Sequence, residues 1–166
     1  MPYKIIDHLV HNNEMLWKLL YYDTADAWNK DNLTIKQKSD LIYRGQPDSS
    51  VFKVFQTALT NDIWTKQNAI MRIYEAVTTP TTHLNAVLNF EIDVLCNSKI
   101  DQLDNYQTRS LRMKQEVLST LNGTQVNGVG LLEFNLKNSH RDIGMLNLRD
   151  DKGWVGYSVV LSAGLG

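Results

Sequence analysis

Asn68-Ala-Ile-Met-Arg-Ile-Tyr-Glu-Ala-Val77, Thr78-Thr-Pro-Thr-Thr-His-Leu-Asn85 and Ala86-Val-Leu-Asn-Phe-Glu-Ile-Asp-Val-Leu-Cys-Asn97 are three consecutive phrases of one chain. The first and third carry β-patterned residues; the middle one is polar and rich in threonine. Two β runs around a polar tip spell a long hairpin over about 69–96. The third phrase alternates. Leu88, Phe90, Ile92, Val94 and Cys96 fall on one face, and Asn89, Glu91 and Asp93 on the other. That alternation predicts an antiparallel strand with one buried face and one face turned to solvent or to a neighbour.

Outward from the hairpin, the patterns are helical before it and mixed after it. Ile5, Leu9, Leu16 and Leu20 recur at helical spacing, joined by Ile6, Val10 and Leu19, which predicts a long helix from Ile5 to about Asn29. His11-Asn12-Asn13 marks either an irregularity in it or its polar face. A short helix follows over Ile35–Tyr43, with Thr34 as N-cap, Gln37 completing a capping box, and Gly45 and Pro47 as stop signals. Ser50–Gln56 reads as a short strand or an extended linker, and Thr60-Asn61-Asp62 as a turn.

After the hairpin, Asp104–Leu121 reads as a second long helix, with Leu111, Val117, Leu118 and Leu121 inward and Gly123 as its stop. Three β runs close the chain: Val129–Leu136, Ile143–Leu148 and Trp154–Leu161, with turn chemistry at Asp150-Asp151-Lys152-Gly153. Strands in hairpin-connected groups, not alternating one for one with helices, predict an α+β fold. Its sheet is largely antiparallel and is covered by two long helices and one short one. At 166 residues, the chain is expected to form a single domain, 1–166.

Composition bounds the function. Hydrophobic residues make up 43%, enough for a core. Seventeen basic residues against eighteen acidic ones leave a net charge of −1, which argues against tight, sequence-independent phosphate binding. The single cysteine, Cys96, excludes an intrachain disulfide and reads as a filler of the hairpin's apolar face. Met1-Pro2-Tyr3-Lys4, followed by Asp7 and His8, does not read as a signal peptide, and no apolar run reaches membrane-spanning length. The expectation is a chain made in the cytoplasm, with no membrane partner.

The search for chemistry returns framework readings. His8 and His11 form His-x-x-His, but the zinc-protease pattern with its internal glutamate is absent. Gly128-x-Gly130 lacks the strand-before-helix context of a dinucleotide site and reads as a tight turn from helix to strand. Ser139-His140-Arg141-Asp142 reads as a loop, since triads are assembled in space. Glu91 and Asp93 share a strand face and suit a metal or acid–base pair, or the solvent side of a sheet. Arg109, Arg112 and Lys114 give the second long helix a mildly basic face, suited to phosphates, to solvent or to inter-subunit ion pairs. Trp64 and Trp154 suit an interface or a core equally well. No catalytic residue, metal ligand or cofactor is assigned.

Several stretches carry a resemblance. They are Asn13-Glu-Met-Leu-Trp-Lys-Leu-Leu-Tyr-Tyr22, Leu33-Thr34, Met71-Arg-Ile-Tyr74, Asn89-Phe-Glu-Ile-Asp-Val94, and Arg109 through Leu121-Asn122-Gly123 into Gly128–Phe134. Together they resemble the neck, head–tail connector and tail-completion (tail terminator-like) proteins of tailed bacteriophages. The resemblance implies a non-enzymatic structural virion protein. It would form a homo-oligomeric ring, sixfold or twelvefold, between portal-side, neck and tail neighbours, with DNA passing through without tight binding. The hairpin tip Thr79, Pro80, Thr81 and Thr82, the pair Glu91 and Asp93, and Arg109 and Arg112 become candidate inter-subunit or partner contacts. A phage-encoded adaptor protein is the alternative, and a small hydrolase or nuclease a further one.

Overall fold

A computed structural model describes residues 1–47, 51–57, 69–76, 78–80, 86–134 and 153–165. The expected turn at 60–62, the strand at 143–148, the loop at 139–142, Trp64 and the turn at 150–152 lie outside the described residues.

The fold is α+β, with a mostly antiparallel sheet. The hairpin forms as its alternation predicts. Strand β2 (Ala69–Glu75) pairs antiparallel with β4 (Ala86–Asn97), from Ala69 opposite Cys96 to Glu75 opposite Phe90. The short β3 (Thr79–Pro80) continues along the same side of β4. On the other side of β4 lies β7 (Trp154–Leu165), in register along its whole length from Asn97–Trp154 to Ala86–Leu165. Beyond it come β6 (Gly130–Phe134) and β5 (Thr124–Val126). Strand β1 (Val54–Phe55) lies parallel to β2 at the other end, giving the order β1-β2-β4-β7-β6-β5.

One face of this sheet holds the main core. Met71, Ile73, Phe90, Ile92, Val94, Val159 and Leu161 are buried there against Ile5, Leu9, Leu16, Leu20, Met113 and Val117 of the helices. Each such side chain contributes about 1.5–3 kcal/mol of transfer free energy. The opposite face was expected to be open, and it is not. Phe55, Ile70, Leu95 and Trp154 form a second buried cluster, and Asn89, Asp93 and Ser158 are also buried. β4 is therefore a strand buried on both sides for most of its length, with polar side chains kept inside by hydrogen bonding.

The first long helix is divided in two. α1 (Pro2–Asn12) and α2 (Met15–Tyr21) meet at Asn13, whose backbone is extended, and a 3-10 turn follows at Ala27–Asn29. Asn13 stabilises the break from both directions. Its Oδ1 accepts the Leu16 N–H at 2.7 Å, and its Nδ2 donates to Thr120 Oγ1 at 2.7 Å and Glu116 Oε2 at 3.0 Å. The Trp17 indole donates to the Leu9 carbonyl at 2.9 Å, an oxygen that also accepts the Asn13 N–H at 3.1 Å.

α3 (Ile35–Asp40) has the predicted capping box of Thr34 and Gln37. It ends before Tyr43 because Leu41 and Tyr43 hydrogen-bond with Val54, and Ile42 bridges to Val54.

A four-residue helix α4 (Ser98–Asp101) precedes α5 (Arg109–Leu121). α5 starts later than the expected Asp104 because residues 102–108 close a tight loop. Leu103 N–H donates to the Gln107 carbonyl at 2.9 Å, and Tyr106 sits at φ 65°. Its buried stripe includes Met113 in place of the expected Leu111, which is only half-buried. Gly123 ends the helix at φ 73°. The Gly128 turn joins strand to strand, β5 to β6, not helix to strand. Its loop of Asn127, Gly128 and Val129 has Gly128 at φ 72°, and Val129 N–H returns to the Val126 carbonyl at 3.0 Å.

Candidate functional site

The sequence-selected residues do not converge on one place. Thr79 and Pro80 form β3, opposite Val87 and Ala86. Thr81 and Thr82 lie outside the described residues. Glu91 and Asp93 share the second face of β4, as their spacing requires, but each is committed to a neighbouring strand. Arg72 Nη2 donates to Asp93 Oδ2 at 2.6 Å from β2, and the Tyr74 hydroxyl reaches the same oxygen at 3.2 Å. From β7, Ser158 Oγ donates to Glu91 Oε1 at 2.9 Å. Two residues along, Ser162 Oγ donates to Asn89 Oδ1 at 2.7 Å.

Asp93 is 1% exposed. Burial raises its carboxyl above the ordinary carboxylate value, against the opposing pull of the Arg72 guanidinium. Burial likewise raises the Tyr74 phenol, aided by the negative charges of Asp93 and Glu91. A carboxyl with this little exposure, already bound to a guanidinium and a phenol, has no open face for a substrate. The cluster ties β2, β4 and β7 together. Among the described residues, no group of three histidine, cysteine, aspartate or glutamate side chains is placed to hold a metal ion.

The basic face of α5 is also spent within the subunit. Arg109 is fully buried, donating from Nη1 to the Leu19 and Tyr22 carbonyls, from Nη2 to Thr24 and from Nε to Ile100. The expectation of a surface contact is corrected for this residue: its guanidinium satisfies the carbonyl end of α2. Arg112 pairs with Glu116 one turn on, at 2.8 Å. Lys114 Nζ lies over the Tyr157 ring, 4.7 Å from its centroid.

Cys96 fills the apolar face as expected. Its thiol donates to Asp101 Oδ1 at 3.0 Å, and burial with that carboxylate pushes its pKa well up. The histidine pair is local as well. Asn12 Nδ2 donates to the His8 carbonyl at 2.9 Å, and His11 Nδ1 donates to the Asp7 carbonyl at 2.9 Å.

Sequence reasoning missed a groove between α1 and α3, of about 410 Å³. Ile6, Val10 and Ile42 form its buried floor, Ile35 stands 57% exposed on its wall, and Lys4 and Arg44 lie on its rim. Neither cation forms an ion pair among the described residues. The one signal for it was Ile35 itself. An isoleucine at the first position of a six-residue helix has no inward register to satisfy.

Comparison with known families adds one decisive match. The YomW family model matches residues 13–162. The chain belongs to the YomW family. YomW is a phage-associated name of the SPbeta type, which marks the chain as phage-related. No curated protein and no solved structure matches the chain. The YomW match takes in both central strands, α5 and the Asn13 break, while α1, the helix that walls the groove, precedes it.

Proposed function

We propose that this YomW-family chain is a structural component of a tailed-phage virion, a ring-forming subunit of the neck or tail end that joins head to tail. The observation that carries the reading is the open rim of the sheet. β5 (Thr124–Val126) pairs with β6 on one side and with no strand on the other among the described residues. At the other end, β1 covers only Met71 and Arg72 of β2, leaving Ile73–Glu75 without an outer strand among the described residues. Unpaired main-chain rims are where copies of a chain join by strand addition. Two unlike rims suit the unlike contacts of a cyclic ring. The near-zero net charge fits a channel that DNA traverses without being gripped.

The test has two parts. Mass spectrometry of purified particles detects the chain in stoichiometric amount if it is a virion component. Negative-stain microscopy of the purified chain, or of particles broken at the neck, shows rings that an antibody to the chain labels. Particles that lack the chain remove the proposal.

A further inference from the structure

We infer that the loop carrying Tyr106 in one copy of the chain docks into the α1–α3 groove of the next. This rests on the ring reading and names one contact within it.

The loop is built to project an aromatic ring. Tyr106 is 97% exposed, and it is the one non-glycine residue with positive φ among the described residues. A bulky side chain in the left-handed region is a true outlier, and its neighbours hold it there. Gln102 and Thr108 pair across the base, and Leu103 N–H donates to the Gln107 carbonyl. Gln107 N–H donates to Asn105 Oδ1 at 3.2 Å. From outside, Asp104 N–H donates to the Ala25 carbonyl at 3.1 Å, and the Trp28 indole donates to Asp104 Oδ1. Such a loop loses little conformational freedom on binding, and tyrosine on a rigid support is a favoured anchor at protein interfaces.

The groove has the matching chemistry. An apolar floor of Ile6, Val10 and Ile42 suits the face of an aromatic ring, and about 410 Å³ lies in the size range of sites that enclose one. Lys4 and Arg44 line the groove beside one carboxylate, Asp7, and neither cation forms an ion pair; the exposed Asp104 beside Tyr106 likewise pairs with no cation, among the described residues. The loop and the groove share no residue. A contact between them used once per neighbour is head-to-tail, the class that closes into rings, whereas a reciprocal two-fold pairing of the same patches would stop at dimers.

The experiment introduces thiols at Gln107→Cys, beside the intact Tyr106, and Ile35→Cys, both exposed positions, with the buried Cys96 left in place. Oxidation is carried out on concentrated purified chain and on assembled particles. The double variant is expected to give a ladder of cross-linked species. An equal mixture of the two single variants is expected to give dimers joining unlike variants and nothing longer. Tyr106→Ala should weaken self-association of the purified chain by about tenfold or more. Absence of the Gln107-to-Ile35 cross-link in both settings, a double variant that stops at dimers, or links only between identical positions, overturns the inference. If rings still form, the ring reading survives that result. If the unmodified chain is monomeric and missing from particles, both fall.

Discussion

Arg109 Nη1 donates to the carbonyl oxygen of Leu19 at 2.6 Å, joining α5 to the end of α2 across 90 residues of sequence. With Tyr22, Thr24 and Ile100 as further acceptors, one guanidinium satisfies four carbonyls. Arg109→Met keeps much of the volume and removes every donor. The Leu19 bond is buried and the other three are part-buried; a buried carbonyl left bare costs about 1–3 kcal/mol, and with the smaller losses at the other three the expected loss is about 3 kcal/mol. Urea denaturation of the two proteins measures it. A loss within about 0.5 kcal/mol, the range of an ordinary surface substitution, would show these contacts to be incidental. Arg109→Lys should fall between, since an ammonium cannot span four acceptors set in a fork.

Two glycines of β7 separate packing from propensity. Gly156 lies opposite Leu95, and a Cβ there would stand 2.1 Å from the Val94 carbonyl oxygen and 2.6 Å from Leu95 Cδ2. Backbone cannot yield as a side-chain tip can, so Gly156→Ala must push β4 and β7 apart. The expected cost is about 2 kcal/mol or more. A Cβ on Gly164, by contrast, meets nothing within 4 Å. Gly164→Ala should leave stability within about 0.5 kcal/mol. Thermal melts of both variants give the contrast; equal losses would contradict the close approach at Gly156.

The hairpin was legible because its signal is local and periodic. Leu88 through Cys96 alternate with a period of two, and this sets both the pairing and the core face. The Thr34–Gln37 capping box was legible for the same reason: partners three residues apart need no tertiary context. The break at Asn13 was only half legible. Three polar residues mark it, but what fixes it is Glu116 and Thr120, more than 100 residues away. The same holds for Arg109 and Asp93. Sequence puts both on polar faces, and only the packing of α2 and β7 turns those faces inward. Of the groove only Ile35 was legible, since a concave surface between two helices leaves no trace in the periodicity of either.

Cys96 should be inert in the native state. Its side chain is fully buried, its thiol is occupied by Asp101, and its pKa is raised by burial first and by that carboxylate second. The thiolate is the reactive species, and both effects suppress it. A chromogenic disulfide reagent at neutral pH is expected to label no thiol in the folded protein and one after unfolding in guanidinium. Stoichiometric labelling before unfolding would place Cys96 at an accessible surface.

Asp93 makes stability depend on pH with a definite sign. Burial is the largest influence on its carboxyl and raises the folded-state pKa above the ordinary value of 3.8; the Arg72 guanidinium opposes this without reversing it. Between the unfolded and folded values, the folded chain holds the proton that the unfolded chain has released. Stability therefore falls as pH rises through that window, and the cost is complete above the folded value. Asp93→Asn has nearly the same shape and does not titrate. The other effects of the substitution do not titrate with Asp93 and enter as a constant offset. The stability of the wild-type chain minus that of Asp93→Asn should thus be larger at about pH 4 than at about pH 8. Urea titrations at the two pH values supply the four numbers required. A difference that grows with pH would mean that the ion pair with Arg72 outweighs burial at this site.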